Sequence, residues 1–174
     1  MLTRKYVALV ALFVVFVNAG ISWSQSGTKS APPKHKATFE ERLWKYLETV
    51  CYDQWSPAGD SGDFRASDEP HGALVKTYMN RKAAGSPKNL PYGSMVIKEN
   101  YSPEKKLMAI TLMYKQKGYN AEAGDWYWVK FMPNGKVAQM EAPNGKKMAI
   151  AGKAKGCIEC HSGADGDDYS FFND

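Results

Sequence analysis

Near the end of the chain, "GCIECHSG" (156–163) sets Cys157 and Cys160 two residues apart, with His161 directly after them. A C-x-x-C pair can serve as a redox couple, as half of a zinc site, or as the anchor of a heme. A structural zinc site needs four nitrogen or sulfur ligands, and the chain has neither a second C-x-x-C nor an H-x-x-x-H. A thioredoxin-like pair opens a helix after a strand early in a βαβ unit, whereas this pair sits near the C-terminus with no such unit around it. His161 selects the third chemistry, because C-x-x-C followed by His is the attachment site of a c-type heme. Thiols one helical turn apart can add to the two vinyl groups on one porphyrin edge. The next residue then lies under the iron as proximal ligand. One motif implies one covalently attached heme c, bound through Cys157 and Cys160 and ligated by His161.

Such a heme is attached outside the cytoplasm, and the opposite end of the chain agrees. Arg4 and Lys5 precede the uncharged apolar run "YVALVALFVVFVNAGI" (6–21), and small or polar residues follow in "SWSQSG". This reads as a signal peptide over residues 1–25; a membrane anchor is the competing and weaker reading, since the run is short for a span and has no charged flank at its far end. The expected location is the periplasm, with no membrane attachment after removal. "SGTKSAPPKHKA" (26–37) reads as a flexible lead-in in which His35 is solvated, leaving 38–174 as a single heme domain. The formal charge of +5 loses Arg4 and Lys5 with the signal, leaving 5 − 2 = +3. With 24% charged residues of both signs, this is not a nucleic-acid face.

The elements that must position the motif are mixed. "TFEERLWKYLETVCYDQW" (38–55) opens with a capping box, Thr38 and Glu41, and spaces Leu43, Leu47, Val50 and Cys51 as a helix does. Pro57 and Gly59 end it. Four runs rich in β-branched and aromatic residues follow, at 72–80, 93–101, 107–115 and 125–132, separated by turn-forming stretches. The fold class expected is α+β: an antiparallel sheet with one long N-terminal helix and short helices around a c-type heme.

Four ordered segments, "PHGALVKTYMN", "LPYGSMVIKENY", "LMYKQKGYNAEAGDWYW" and "GCIECHSGADGDDYSFF", resemble the cytochrome P-460 family, which includes the cytochrome c′-beta proteins. The likeness runs from about Trp44 to the C-terminus. It implies a mostly β, homodimer-forming periplasmic monoheme protein whose distal heme side faces the sheet. It also implies small nitrogenous or gaseous ligands: the P-460 enzymes oxidise hydroxylamine, while the c′-beta proteins bind nitric oxide and carbon monoxide. The resemblance places Lys98, in "MVIKEN", where catalytic members cross-link a lysine to the porphyrin, and Lys76 where they carry an arginine. Lysine lacks the planar fork of arginine and holds an anion differently. By pattern alone, Lys98 alternates with Ser94 and Val96 on a strand, which also suits a solvated residue, or one paired with Glu99 or a heme propionate.

Cys51 has three open uses: burial at the Leu43–Leu47–Cys51 spacing, an intermolecular disulfide, or a thiolate at the sixth position of the iron. His71, in "EPHG", suits a hydrogen-bonded turn better than ligation. Met79, Met95, Met108, Met113 and Met148 are available thioethers whose strand positions favour packing. Trp126 and Trp128 share one face of their strand, Phe171 and Phe172 cover the proximal edge, and "GADGDD" is a turn without calcium-loop spacing.

The expected function is a monoheme cytochrome that binds nitric oxide or carbon monoxide, or transfers electrons to a redox partner protein, in nitrogen-oxide metabolism. A hydroxylamine-oxidising enzyme with a Lys98–heme cross-link is the alternative. A subunit of a heterodimeric cytochrome, in place of a homodimer, is the third reading.

Overall fold

A computed structural model describes residues 36–58, 63–68, 70–164 and 168–171. The expected signal peptide and lead-in through His35, Gly59, Phe172 and the centre of the "GADGDD" segment lie outside the described residues.

Helix α1 (Phe39–Val50) starts where the capping box requires. The Thr38 hydroxyl accepts from the Glu41 backbone N–H at 3.2 Å, and the Glu41 carboxylate accepts from the Thr38 N–H at 2.8 Å. The helix is three turns long, shorter than the sequence pattern suggests. Cys51 takes a left-handed conformation, φ 47°, and the chain continues as a short 3₁₀ turn over Tyr52–Gln54. A helix end in this conformation satisfies the final carbonyls and turns the chain away.

The sheet is built from β1 (Ser56–Pro57), β2 (Arg65–Ala66), β3 (Leu74–Met79), β4 (Met95–Tyr101), β5 (Leu107–Lys115), β6 (Trp126–Phe131) and β9 (Ala151–Gly152). Its order is β1-β3-β4-β5-β6-β9, every pairing is antiparallel, and β2 pairs with the other end of β3. A separate hairpin, β7 (Gln139–Glu141) with β8 (Lys147–Ala149), precedes β9. Helix α2 (Arg81–Gly85) links β3 to β4, its N-terminus capped by Asn80. Helix α3 (Lys155–His161) carries the C-x-x-C-H motif. The four predicted strands are the four central ones; the edge strands are two residues long, too short to carry a period-two pattern.

Side chains alternate across the central strands, and the register assembles them into rows. Tyr78, Ile97, Leu112 and Val129 form one row on the first face. Leu43 and Leu47 of α1 bury themselves against this face with Ile97, Ile110, Leu112, Tyr127, Val129 and Phe131. Each such leucine contributes about 1.5–3 kcal/mol of burial. The second face carries an apolar row, Met79, Val96, Met113 and Trp128, beside a polar row, Thr77, Lys98, Thr111 and Lys130. Cys157 and Ile158 of α3 pack against the apolar row. Thus α1 and α3 lie on opposite faces of one sheet.

Gly135 is required by contact as well as by its φ of +78°: a Cβ there would sit 2.3 Å from the Trp44 indole nitrogen of α1.

Candidate heme site on the second face of the sheet

His161, the last residue of α3, is buried with its ring among aromatic neighbours. Ring centres lie 4.7 Å away at Trp128, 5.2 Å at Phe171 and 6.1 Å at His71. His161 Nδ1 donates to the Tyr169 carbonyl at 2.8 Å. A carbonyl can only accept, so Nδ1 carries the hydrogen and Nε2 keeps its lone pair, the form that ligates a metal. Burial lowers the His161 pKa, the Tyr169 bond opposes the shift, and nearby Lys98 adds to it. The ring is thereby held neutral.

His161 borders a cavity of about 140 Å³ whose lining includes Ala58, Arg65, Thr77, Val96, Lys98, Met113, Ser170 and Phe171. The floor is the two side-chain rows of the sheet, and the rim comes from β2 and the segment after α3. Of the five methionines singled out from sequence, Met113 is the one lining this cavity, and it is packed in register between Val96 and Trp128. A larger hollow of about 650 Å³ between Thr38 and the 132–139 segment holds none of the chemistry-bearing residues.

Lys98 reaches the cavity because β4 turns alternate residues to this face. Burial lowers its pKa, the neighbouring Arg65 charge lowers it further, and the Cys160 thiol works in the opposite sense. No carboxylate among the described residues pairs with it; Glu99, one residue on, points to the other face. There Glu99 accepts hydrogen bonds from Tyr52 at 2.9 Å, Tyr78 at 3.2 Å and Tyr101 at 2.6 Å. The pairing of Lys98 with Glu99 considered from sequence is therefore corrected: adjacent strand residues face opposite ways.

Lys76 is corrected for the same reason. It stands across from Glu99 on the first face, with its amino group 4.6 Å from the Phe64 ring centre. The β3 residues facing the cavity are Val75 and Thr77. The guanidinium that does border the cavity belongs to Arg65 on β2, a residue that sequence reasoning missed. Its strand is two residues long and left no pattern to find.

Cys51 is exposed at the end of α1, and the next residue, Tyr52, bonds Glu99 on the first face. The fold does not bring Cys51 together with His161 within one chain, because the sheet lies between them. It is not buried either, since the left-handed turn at its own position rotates it off the apolar stripe of the helix.

His71 makes the hydrogen-bonded turn that its context suggests. The Asn100 amide NH₂ is committed to the Lys98 and Ala109 carbonyls, both at 3.2 Å, so its Oδ1 accepts from His71 Nδ1 at 3.1 Å. Burial first, then the Lys98 charge, push the His71 pKa down to about 4, and the neighbouring His161 ring works in the same sense.

The residues present fit a heme. An apolar row and a cation-bearing row lie side by side under α3, matching a macrocycle with two carboxylates on one edge. Cys157 and Cys160 are free thiols, and two buried polar atoms, Trp128 Nε1 against the His161 ring and Ser170 Oγ beside the same cavity, have no hydrogen-bond partner among the described residues. The family model of cytochrome P460 matches residues 51–172 of the chain. No match to a curated protein accompanies it.

Proposed function

Because the chain belongs to the cytochrome P460 family of heme proteins, we propose that it is an exported, periplasmic monoheme c-type cytochrome that binds small ligands such as nitric oxide and carbon monoxide and exchanges electrons with a redox partner. Cys157 and Cys160 would hold one heme c by thioether bonds, and His161 would ligate its iron through Nε2. A heme held there supplies an iron that changes between ferric and ferrous states and takes a small ligand at its sixth position.

The observation that carries this reading is the lone-pair-bearing His161 at the edge of a cavity walled by Thr77, Val96, Lys98 and Met113, with Cys51 across the sheet. Trp128 and Phe171 would hold the His161 ring in place, and the Tyr169 carbonyl would fix its tautomer. Arg65, Lys98 and Lys130 would neutralise propionates or an anionic ligand. Assembly as a homodimer, or as a heterodimer with a second chain of the same fold, belongs to the same proposal.

A second reading, hydroxylamine oxidation by a Lys98–heme cross-linked enzyme, is favoured by one observation: Lys98 presents to the cavity an amine of lowered pKa that pairs with no carboxylate among the described residues. A lowered pKa leaves more free amine to form a covalent bond. The absorption spectrum of the ferrous protein, with intact mass after denaturation, separates the readings. One covalent heme with an ordinary c-type Soret band, shifting on addition of carbon monoxide or nitric oxide, supports the first. A strongly red-shifted Soret band establishes the cross-link and removes it. A chain without covalent heme ends both.

A further inference from the structure

The hydrogen bond that fixes His161 depends on a residue in a strained conformation. Tyr169, whose carbonyl accepts from His161 Nδ1, has φ 56°. A non-glycine residue stays in this left-handed region only where its surroundings hold it. Relaxation to negative φ would swing the carbonyl away from the imidazole.

The restraint is the preceding residue. Asp168 is largely buried and is held from three separate segments, two strands and the loop before β4. Its Oδ1 pairs with Lys115 Nζ at the end of β5, and its Oδ2 accepts from the Leu90 N–H at 2.8 Å, ahead of β4. Its carbonyl accepts from Trp126 Nε1 at 3.1 Å, at the start of β6. The Tyr169 hydroxyl adds a bond to the Glu122 carbonyl at 3.2 Å, and its ring lies against Gly124, where a Cβ would come within 3.1 Å. Lys115 itself stands 5.4 Å from the Trp126 ring centre.

We propose that the Lys115–Asp168 ion pair is the positioning device for the proximal ligand: it locks Tyr169 in the left-handed conformation that keeps its carbonyl on His161 Nδ1. The inference rests on the proposed heme ligation by His161. Neither residue touches the heme site; Lys115 and Asp168 act through the Tyr169 backbone. A histidine that donates to a carbonyl is a more basic ligand and favours the ferric state. Losing the clamp should therefore raise the reduction potential and weaken the iron–histidine bond.

The test uses the heme-loaded full-length protein and the variants Asp168→Asn, Lys115→Met and Lys115→Arg. Intact mass first establishes covalent heme in the wild type; its absence defeats the ligation reading and this proposal with it. Spectroelectrochemistry and the resonance Raman iron–histidine stretch of the ferrous form are then compared. Asp168→Asn and Lys115→Met should each move the ferric–ferrous balance about tenfold toward ferrous at fixed potential, 59 mV for a one-electron couple. Both should lower the stretching frequency, and Lys115→Arg should restore both readouts. Unchanged potential and frequency, with only a lower melting temperature, would overturn the proposal while leaving the heme reading standing. Failure of Asp168→Asn and Lys115→Met alike to fold would also overturn it, in favour of a purely structural pair.

Discussion

On β4, Lys98 and Glu99 are neighbours in sequence and face opposite sides of the sheet, so two adjacent substitutions should have opposite phenotypes. Glu99 is 7% exposed and its carboxylate accepts three phenol hydroxyls. Glutamine has one acceptor oxygen and no charge. Hydrogen bonds to a charged group contribute about 1.5–3 kcal/mol against about 0.5–1.5 for neutral ones. Weakening two and losing one therefore costs several kcal/mol, offset in part by no longer burying a charge. The net expectation for Glu99→Gln is about 3 kcal/mol, a fall of about 10 °C in Tm for a domain of this size. The heme spectrum should not move. Lys98→Met should do the reverse: it removes a partly buried cation beside Arg65 that pairs with no carboxylate among the described residues, leaves Tm within a few degrees, and changes the heme spectrum and its response to carbon monoxide. Thermal melts followed by circular dichroism and by the Soret band read both effects. A Glu99→Gln variant with wild-type Tm, or with a heme spectrum altered as in Lys98→Met, would refute the assignment of these residues to opposite faces. The cluster also dictates alkaline behaviour. Burial and then the Glu99 charge push Tyr78 up to about 12 and raise Tyr52 and Tyr101 as well. Phenols that ionise later in the folded chain than in the unfolded one contribute stability that is full below pH 10 and lost as pH rises through about 12. Glu99→Gln should flatten that loss.

Thr38→Ala removes the hydroxyl that accepts from the Glu41 N–H and should cost about 1 kcal/mol in urea denaturation, with no spectral change. Cys51→Ala should leave the heme spectrum unchanged and abolish the reaction of an exposed thiol with a thiol reagent; a spectral change would mean that this cysteine reaches an iron after all. His71, held at about 4 against an ordinary 6.5, stays neutral in the folded chain while the unfolded chain protonates. Its contribution is thus present above pH 6.5 and lost as pH falls through about 4, up to about 3 kcal/mol. Urea midpoints at pH 7 and pH 4.5 should differ less in His71→Asn than in the wild type, and equal differences would count against the buried neutral ring.

Local chemistry was legible wherever it was written in consecutive residues. The spacing of Cys157, Cys160 and His161 names a heme motif because one helical turn sets the distance between its groups. Thr38 with Glu41 marks the start of α1, since a capping box closes over three residues. The four central strands follow from their own composition. Other features depend on which distant segments meet. Register alone puts Thr77, Lys98, Thr111 and Lys130 in one row, and a shift of one residue would send Lys98 to the tyrosines and Glu99 to the cavity. The resemblance points to Lys76 at the heme, whereas register turns it to the other face and leaves its neighbours Val75 and Thr77 facing the site. Arg65 and the Lys115–Asp168 pair come from a two-residue strand and from positions more than fifty residues apart. The sequence by itself determined that a heme motif exists and which elements flank it, because those are short-range properties of the backbone. Only the tertiary structure decided that Cys51 is separated from His161 by the sheet, because the face on which α1 and α3 pack is set by burying two apolar rows at once.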